Sequence, residues 1–190
     1  MEEKNKKTKQ HQLAVALQVS TVVLAGASAL MYSCFHSFMM AIPYLTSDEV
    51  WNLIGGEMQQ APLTNAVWTG LMKGQLPFSL LVFVLVISFL NFFRRICMEI
   101  GNDNSFSLEN VKNFNVMTGI SAVIAVSYLI RIGVFVSRCV VASYPRAAFI
   151  IGVVYGLLAL GFITLGFMCR TLARLVYNAY EMKNENDLTI

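Results

Sequence analysis

Four long apolar segments, separated by shorter polar stretches, dominate the pattern of hydrophobic and polar positions along the chain. They run from Leu13 to Ile42, from Leu76 to Phe93, from about Phe114 to Val136 and from Ala147 to Met168. A helix needs about 20 apolar residues to cross a hydrocarbon core roughly 30 Å thick, and a segment in lipid must satisfy its own backbone hydrogen bonds. The pattern therefore predicts an all-α, polytopic membrane protein, a four-transmembrane-helix bundle in a single domain.

The first apolar segment also has the features of a cleavable signal peptide. Lysines precede it, its apolar run begins at Leu13, and small residues follow from Ala25 to Ala29. However, the apolar run continues to Ile42, which makes the segment long enough to span a membrane. The sequence therefore favours a retained span over a cleaved signal.

Composition and charge support the membrane assignment and give it an orientation. Charged residues make up 13% of the chain, against about a quarter in soluble domains. Lysine and arginine accumulate in the short cytoplasmic loops of membrane proteins. With the N-terminus inside, ten of the fourteen fall on the inner side, so both termini are predicted to be cytoplasmic. The connecting segments are then an outer loop at 43–75, a cytoplasmic loop at 94–113 and a cytoplasmic tail at 169–190.

The chain has no recognisable catalytic or metal-binding motif. Its cysteines, Cys34, Cys97, Cys139 and Cys169, form no C-x-x-C pair. Phosphate-loop, zinc-protease and serine-hydrolase motifs are missing, and the apolar segments contain no Asp or Glu of the kind that ion-coupled transporters use. The basic run from Lys4 to Lys9 adjoins an apolar segment, which favours a topology signal over nucleic-acid binding. The sequence predicts a protein without enzymatic activity, cofactor or metal.

Two ionisable side chains inside the apolar segments, His36 and Arg131, are candidates for a ligand contact near the outer side. Charged residues within spans are expensive to bury and are often functional. Either side chain is also able to reach the outer interface without a ligand, because long polar side chains snorkel. For Arg131 the outer loop offers a further option, an ion pair with Asp48, Glu49 or Glu57.

Small residues in the fourth apolar segment predict a face against which another helix packs closely. At about 100° per residue, Gly152, Gly156, Ala159 and Gly166 lie on one stripe. Such stripes let two helix backbones approach each other in membranes. The neighbour is either a helix of the same chain or a second copy in a homo-oligomer, and packing within the chain is favoured.

The segment "NSFSLENVKNF", Asn104 to Phe114, predicts how the third long helix begins. Ser107 is placed to cap this helix, and Glu109 and Asn110 follow in the first turn, where a carboxylate suits the positive end of the helix dipole. The helix is therefore expected to start in the cytoplasm near Leu108 and to enter the membrane near Phe114.

The C-terminal segment "NENDLTI" has the pattern of a docked tail. Asn184 and Asn186 disfavour helix, so the last helix is expected to stop near them. Beyond that point, burial of Leu188 and Ile190 would contribute free energy that solvent exposure does not. The tail is expected either to occupy a groove on a cytoplasmic partner or to fold back on the cytoplasmic loop. Folding back would involve Glu185, Asp187, Leu188 and Ile190 of the tail, and Arg94, Arg95, Lys112, Phe106 and Phe114 near the loop.

These two segments resemble a widespread bacterial family of small uncharacterised four-helix membrane proteins. Its members have a Gly-x-x-Phe-Ser-x-Glu-Asn element before the third helix and end in Glu-Asn-Asp-Leu-Thr-Ile. Here the tail matches fully and the first element matches at four positions, with Gly101 displaced. The resemblance covers roughly residues 76–190. It implies a bacterial cell membrane location, no established activity, and a frequent neighbouring gene for a small helix-turn-helix regulator of the Cro/repressor type.

The leading hypothesis is therefore a membrane protein without catalytic activity that binds and modulates a small cytoplasmic transcriptional regulator. The alternative is a small transport or immunity protein that acts on an extracellular peptide or amphiphile through His36, Arg131 and the outer loop. A purely structural membrane subunit is the third interpretation. The lipid bilayer is the expected partner in each case, and direct nucleic-acid binding is not expected. The docking residues of the leading hypothesis are Phe106, Ser107, Glu109, Asn110, Glu185, Asp187, Leu188 and Ile190.

Overall fold

The computed structural model of the protein describes residues 2–53, 60–102 and 104–188, and helices account for almost all of them. The structure is 89% helical, with no strand in these ranges, which confirms the predicted all-α fold class. The helices are α1 (Glu2–Leu45), α2 (Asp48–Leu53), α3 (Asn65–Leu71), α4 (Gln75–Gly101), α5 (Leu108–Val141) and α6 (Pro145–Leu188).

The four longest helices, α1, α4, α5 and α6, are each long and apolar enough to cross a membrane. This finding confirms the predicted number of spans and indicates a multi-pass membrane protein. The expected end of the last helix near Asn184 is wrong, because α6 continues through Asn184 and Asn186 to Leu188. One asparagine lowers helix stability by at most about 0.7 kcal/mol relative to alanine, which is too little to end a long helix.

The segment between α1 and α4 contains the short helices α2 and α3, each fixed by a buried tryptophan. Trp51 of α2 meets the ring of Phe149 edge-on, with centroids 6.3 Å apart. Trp68 of α3 meets Phe135 in the same way at 6.0 Å. Both tryptophans are at most 5% exposed. The described part of this connection is therefore packed onto α5 and α6 through aromatic contacts.

The chain divides into two compact units, each with its own core. The first, here called the terminal unit, comprises Met1–Ser28, Val84–Val123 and Phe162–Ile190. The second, the connecting unit, comprises Ala29–Phe83 and Ile124–Gly161. All four long helices, α1, α4, α5 and α6, contribute to both units.

In the terminal unit, α4, α5 and α6 pack around a small buried cluster. It consists of Ile96, Phe114, Met117, Cys169 and Ala173, none more than 8% exposed. Three partly buried phenylalanines of α4 pack against this cluster. The aromatic end of α4 therefore contributes to the core of this unit.

Gly166 lets α6 approach α5 closely within the terminal unit. A Cβ atom added there would lie 3.3 Å from the Cβ atom of Ser121, which is fully buried. Thr118 Oγ1 lies 3.5 Å from the carbonyl oxygen of Gly166. A Cβ atom on Gly152 would make only ordinary contact, and one on Gly156 would meet nothing within 4 Å. The predicted glycine face needs this correction: its close contact is Gly166, and Gly156 is not part of it.

Candidate functional site

The residues that the sequence singled out lie in two separate regions. The described docking candidates lie in the connection between α4 and α5, in the first turn of α5 and at the end of α6, all within the terminal unit. The span candidates His36 and Arg131 belong to the connecting unit.

Ser107 caps α5, as predicted. The backbone N–H of Asn110 donates to Ser107 Oγ at 3.2 Å, and the backbone N–H of Val111 donates to the Ser107 carbonyl at the same distance. Ser107 is 8% exposed. Glu109 is exposed in the first turn, where its charge suits the positive end of the helix dipole.

Asn110 holds the preceding connection in place. Its side chain is 1% exposed, and its Nδ2 donates to the carbonyl oxygens of Asn104, at 3.3 Å, and Ser105, at 3.0 Å. Asn104 Nδ2 in turn donates to Glu99 Oε2 of α4 at 2.8 Å. The polar residues of this segment therefore fix the path of the chain between the two helices.

The same connection lines a cleft with the last turns of α6. This connection cleft has a volume of about 300 Å³. Phe106 and Leu108 stand beside it with 52% and 51% of their surface exposed. Phe106 and Ser107 lie next to each other in the chain but differ in burial, so the cap faces inward while the ring is presented at the surface. The residues that line the connection cleft are Asn104, Phe106, Ser107, Leu108, Tyr180, Lys183 and Asn184.

The predicted tail contacts are described only in part. The neighbours of the connection in α6 are Tyr180, Lys183 and Asn184, so the end of α6 lies beside the segment on which the tail was expected to fold. Glu185 is exposed on α6. The expected docking of the Asp187 and Leu188 side chains, and of Ile190, lies outside the described residues.

Arg131 is buried in the connecting unit and bound by uncharged groups. Its Nε and Nη2 donate to Gln75 Oε1 at 3.3 and 3.2 Å, and its Nη1 donates to the Lys73 carbonyl at 3.5 Å. Tyr155 Oη donates to the same Gln75 oxygen at 2.7 Å. The guanidinium also lies 5.8 Å from the ring centre of Phe78. Among the described residues no carboxylate pairs with Arg131, so the expected ion pair with Asp48 or Glu49 is wrong. The alternative with Glu57 lies outside them.

These contacts place positive charge where the chain leaves α3. Arg138 Nη1 donates to the Lys73 carbonyl at 2.9 Å, the same oxygen that Arg131 contacts. Gly74 has a φ of +85°, a conformation that other residues rarely adopt. Cations near the C-terminal end of a helix are favourable, because carbonyl groups there lack partners. Arg131 therefore stabilises the turn between α3 and α4.

Arg146, and not Arg131, pairs with the acidic side chain of the connection. Its guanidinium forms an ion pair with Asp48 and donates to the Thr46 carbonyl at 3.2 Å. The ring of Trp51 lies 5.4 Å from the guanidinium carbon. The backbone N–H of Arg146 also donates to Gln60 Oε1 at 3.0 Å. Sequence reasoning missed this pair because Arg146 looked like a simple turn residue after Pro145.

His36 takes no part in the Arg131 contacts, and its side chain is exposed on α1. All four cysteines are free, with Cys34 exposed and the other three buried. Within the part of the chain that the structure describes, no three His, Cys, Asp or Glu side chains come together to hold a metal ion.

The fold and these contacts indicate a multi-pass helical membrane protein in which Ser107, Asn110, Arg131 and Arg146 hold the described connections together. The chain belongs to a family described as protein of unknown function (DUF2975), whose sequence profile matches residues 6–190. This match confirms that the chain is part of an uncharacterised family. Comparison with curated proteins and with solved structures finds no match to the chain.

Proposed function

We propose that the protein has no catalytic activity and docks a small cytoplasmic helix-turn-helix regulator at the connection cleft, thereby modulating that regulator. The observation that carries the proposal is the pair of exposed apolar side chains, Phe106 and Leu108, beside a polar-lined cleft. Exposed aromatic and aliphatic side chains that border a polar rim are typical anchors of protein interfaces. The proposal also draws on the resemblance to proteins encoded beside such regulators.

The connection is suited to docking because it is fixed before any partner arrives. Ser107 and Asn110 are buried, and Ser107 Oγ and Asn110 Nδ2 form hydrogen bonds to the backbone on either side of Phe106, so the position of Phe106 is set by its neighbours. A surface that is already ordered loses less conformational entropy on binding than a mobile one. In this proposal Ser107 and Asn110 shape the surface, whereas Phe106 and Leu108 contact the partner.

The length of α6 brings further surface to the same place. The helix ends at Leu188, twenty residues after Met168, where the long apolar segment ends. At 1.5 Å per residue this stretch is about 30 Å long. The distribution of lysine and arginine favours a cytoplasmic location for it. An extended polar helix beside the connection gives a soluble partner a surface to bind outside the membrane.

The proposal is tested by comparing the affinity of a candidate regulator for the wild-type protein and for the Phe106→Asp variant. The detergent-purified protein is immobilised, and the dissociation constant of the regulator encoded beside its gene is measured. Phe106 would become buried when the regulator binds, so its replacement by aspartate should weaken binding by about tenfold or more. Leu53→Asp is the matched control, because Leu53 is 85% exposed and belongs to α2. Equal affinity of the Phe106→Asp variant and the wild type would contradict the proposal, as would an equal loss in the control.

The alternative of a transport or immunity role on the outer side has less support. It depends on His36 and Arg131 as ligand contacts. The Arg131 side chain is 8% exposed, and its donors are used by Gln75 and by the Lys73 carbonyl. A ligand would first have to displace these contacts. The geometry therefore favours a structural role for Arg131.

A further inference from the structure

A second surface of the terminal unit, between α5 and α6, combines positive charge with an apolar groove. The polar part, here called the basic cleft, has a volume of about 670 Å³. Arg170 and Arg174 stand one turn apart on α6 and face it together with polar residues of α5. The side chains that give the basic cleft its character are Asn115, Thr118, Arg170, Arg174, Tyr177 and Asn178.

The basic cleft continues into an apolar groove of about 170 Å³. Thr118 and Arg170 line both, so the two spaces adjoin along the same pair of helices. Beyond Arg170 the lining consists of small and apolar side chains. Ala122 belongs to α5, and Phe162, Ile163 and Phe167 belong to α6.

Among the described residues, the two arginines of the basic cleft have no ion-pair partner. Arg170 and Arg174 are both exposed. No described Asp or Glu lines the basic cleft or the apolar groove. Guanidinium groups bind phosphate through paired hydrogen bonds, and the neighbouring amide side chains of Asn115 and Asn178 are able to supply further donors. The basic cleft therefore has the chemistry of a site for a phosphate group.

The order of polar and apolar lining along α6 matches one class of ligand. Phe162 to Met168 is apolar except for one threonine and the glycine of the close helix contact, and the α6 side chains that line the cleft from Arg170 onward are mostly polar. A membrane phospholipid has the same two parts, with its phosphate at the interface and its acyl chain in the hydrocarbon. Basic pockets between membrane helices are known to select anionic head groups.

We propose that the basic cleft and the apolar groove together bind one anionic glycerophospholipid. Arg170 and Arg174 hold its phosphate, with the side-chain amide of Asn115 as a further polar contact. An acyl chain lies in the groove against Phe162 and Phe167. The head group chosen for the test is phosphatidylglycerol, which carries a single phosphate charge. This proposal concerns a different surface from the connection cleft and does not depend on the regulator.

The test measures lipid binding to the delipidated full chain in an uncharged detergent by native mass spectrometry. Phosphatidylglycerol with long acyl chains should bind as one retained copy, about tenfold more tightly than phosphatidylcholine with the same chains. Replacing both arginines, as Arg170→Gln with Arg174→Gln, should remove this preference. Soluble glycerol phosphate should bind far more weakly than the lipid, because it has no acyl chain for the groove.

The matched control is the double variant Arg94→Gln with Lys112→Gln. It removes the same amount of positive charge from exposed side chains of the terminal unit that line neither space. It should keep the lipid preference. Ala122→Phe, which fills the groove and leaves the arginines in place, should weaken phosphatidylglycerol binding.

Three results would overturn the proposal. They are equal affinity for the anionic and the zwitterionic lipid, an equal loss of preference in the control double variant, and binding of glycerol phosphate as tight as that of the lipid. For each variant, the midpoint of thermal unfolding is also measured in the absence of lipid. Both arginines and Ala122 are exposed, so their replacement should leave the midpoint close to that of the wild type.

Discussion

At the scale of single residues, the motif between α4 and α5 divides into two kinds of side chain. Ser107 and Asn110 are buried and bonded to the backbone, whereas Phe106 and Glu109 face outward. The spacing of a cap serine before a helix is a local pattern, so Ser107 could be predicted from the sequence. No comparable sequence pattern predicts the hydrogen bonds from the Asn110 side chain to the carbonyl oxygens of Asn104 and Ser105, so only the structure shows them.

Asn110→Ala should loosen the connection. The substitution leaves two partly buried backbone carbonyl oxygens without their side-chain donor, and the loss of such a hydrogen bond costs about 0.5 to 1.5 kcal/mol. Hydrogen exchange of the amides at 104–107 should therefore become faster in the variant. Glu109→Gln, at the neighbouring exposed position, should leave the exchange unchanged. Unchanged protection in Asn110→Ala would show that these hydrogen bonds do not hold the connection.

The contacts of the buried arginines could not be predicted for a different reason. Arg131 meets a glutamine that is 56 positions away in the chain, and Arg146 meets an aspartate that is 98 positions away. A sequence gives the charge of a side chain and its approximate depth in the membrane. It does not decide which polar side chains, distant in the chain, the fold brings into contact. Asp48 does form an ion pair with an arginine, but the arginine is Arg146 and not the expected Arg131.

At the scale of helices, the long spans were predictable because hydrophobicity adds over about 20 residues and outweighs any single position. Helix ends depend on differences of a few tenths of a kcal/mol, and the continuation of α6 past Asn184 shows how little two asparagines change. The helices α2 and α3 were not predicted, because six and seven residues are too few to show a period.

Gly166→Leu should destabilise the contact between α5 and α6. The new Cβ atom would lie 3.3 Å from the Ser121 Cβ atom, which is closer than ordinary contact, so the two helices would have to shift apart. A loss of about 1 to 3 kcal/mol should appear as a lower midpoint of thermal unfolding in detergent. Gly156→Leu is the matched control on the same helix, because a Cβ atom there meets nothing within 4 Å. If the two variants unfold at the same temperature, the close contact at Gly166 is not a packing constraint.

At the scale of the whole molecule, each unit has a distinct set of polar side chains. In the connecting unit, Arg131 and Arg146 are engaged by neighbouring elements. In the terminal unit, Arg170 and Arg174 have no ion-pair partner among the described residues, and Phe106 is exposed. This distribution favours interactions with other molecules at the terminal unit, a partner protein at the connection cleft and a lipid at the basic cleft.

The central claim of this account is that the connection cleft faces the cytoplasm, where a regulator can reach it. Sequence supports this claim through the ten lysine and arginine residues on the predicted inner side. Single cysteines introduced at Asn184, in the connection cleft, and at Asn65, at the start of α3, report on the two predicted sides. Both asparagines are exposed, so a reagent in the same compartment should reach either cysteine.

The direct measurement is labelling of these cysteines by a membrane-impermeant maleimide in intact cells. The four native cysteines are first replaced by alanine, and membrane insertion of that protein is verified. We expect the cysteine at Asn65 to be labelled in intact cells and the cysteine at Asn184 to be labelled only after permeabilisation. Labelling of the cysteine at Asn184 in intact cells would place the connection cleft outside and contradict the proposed function.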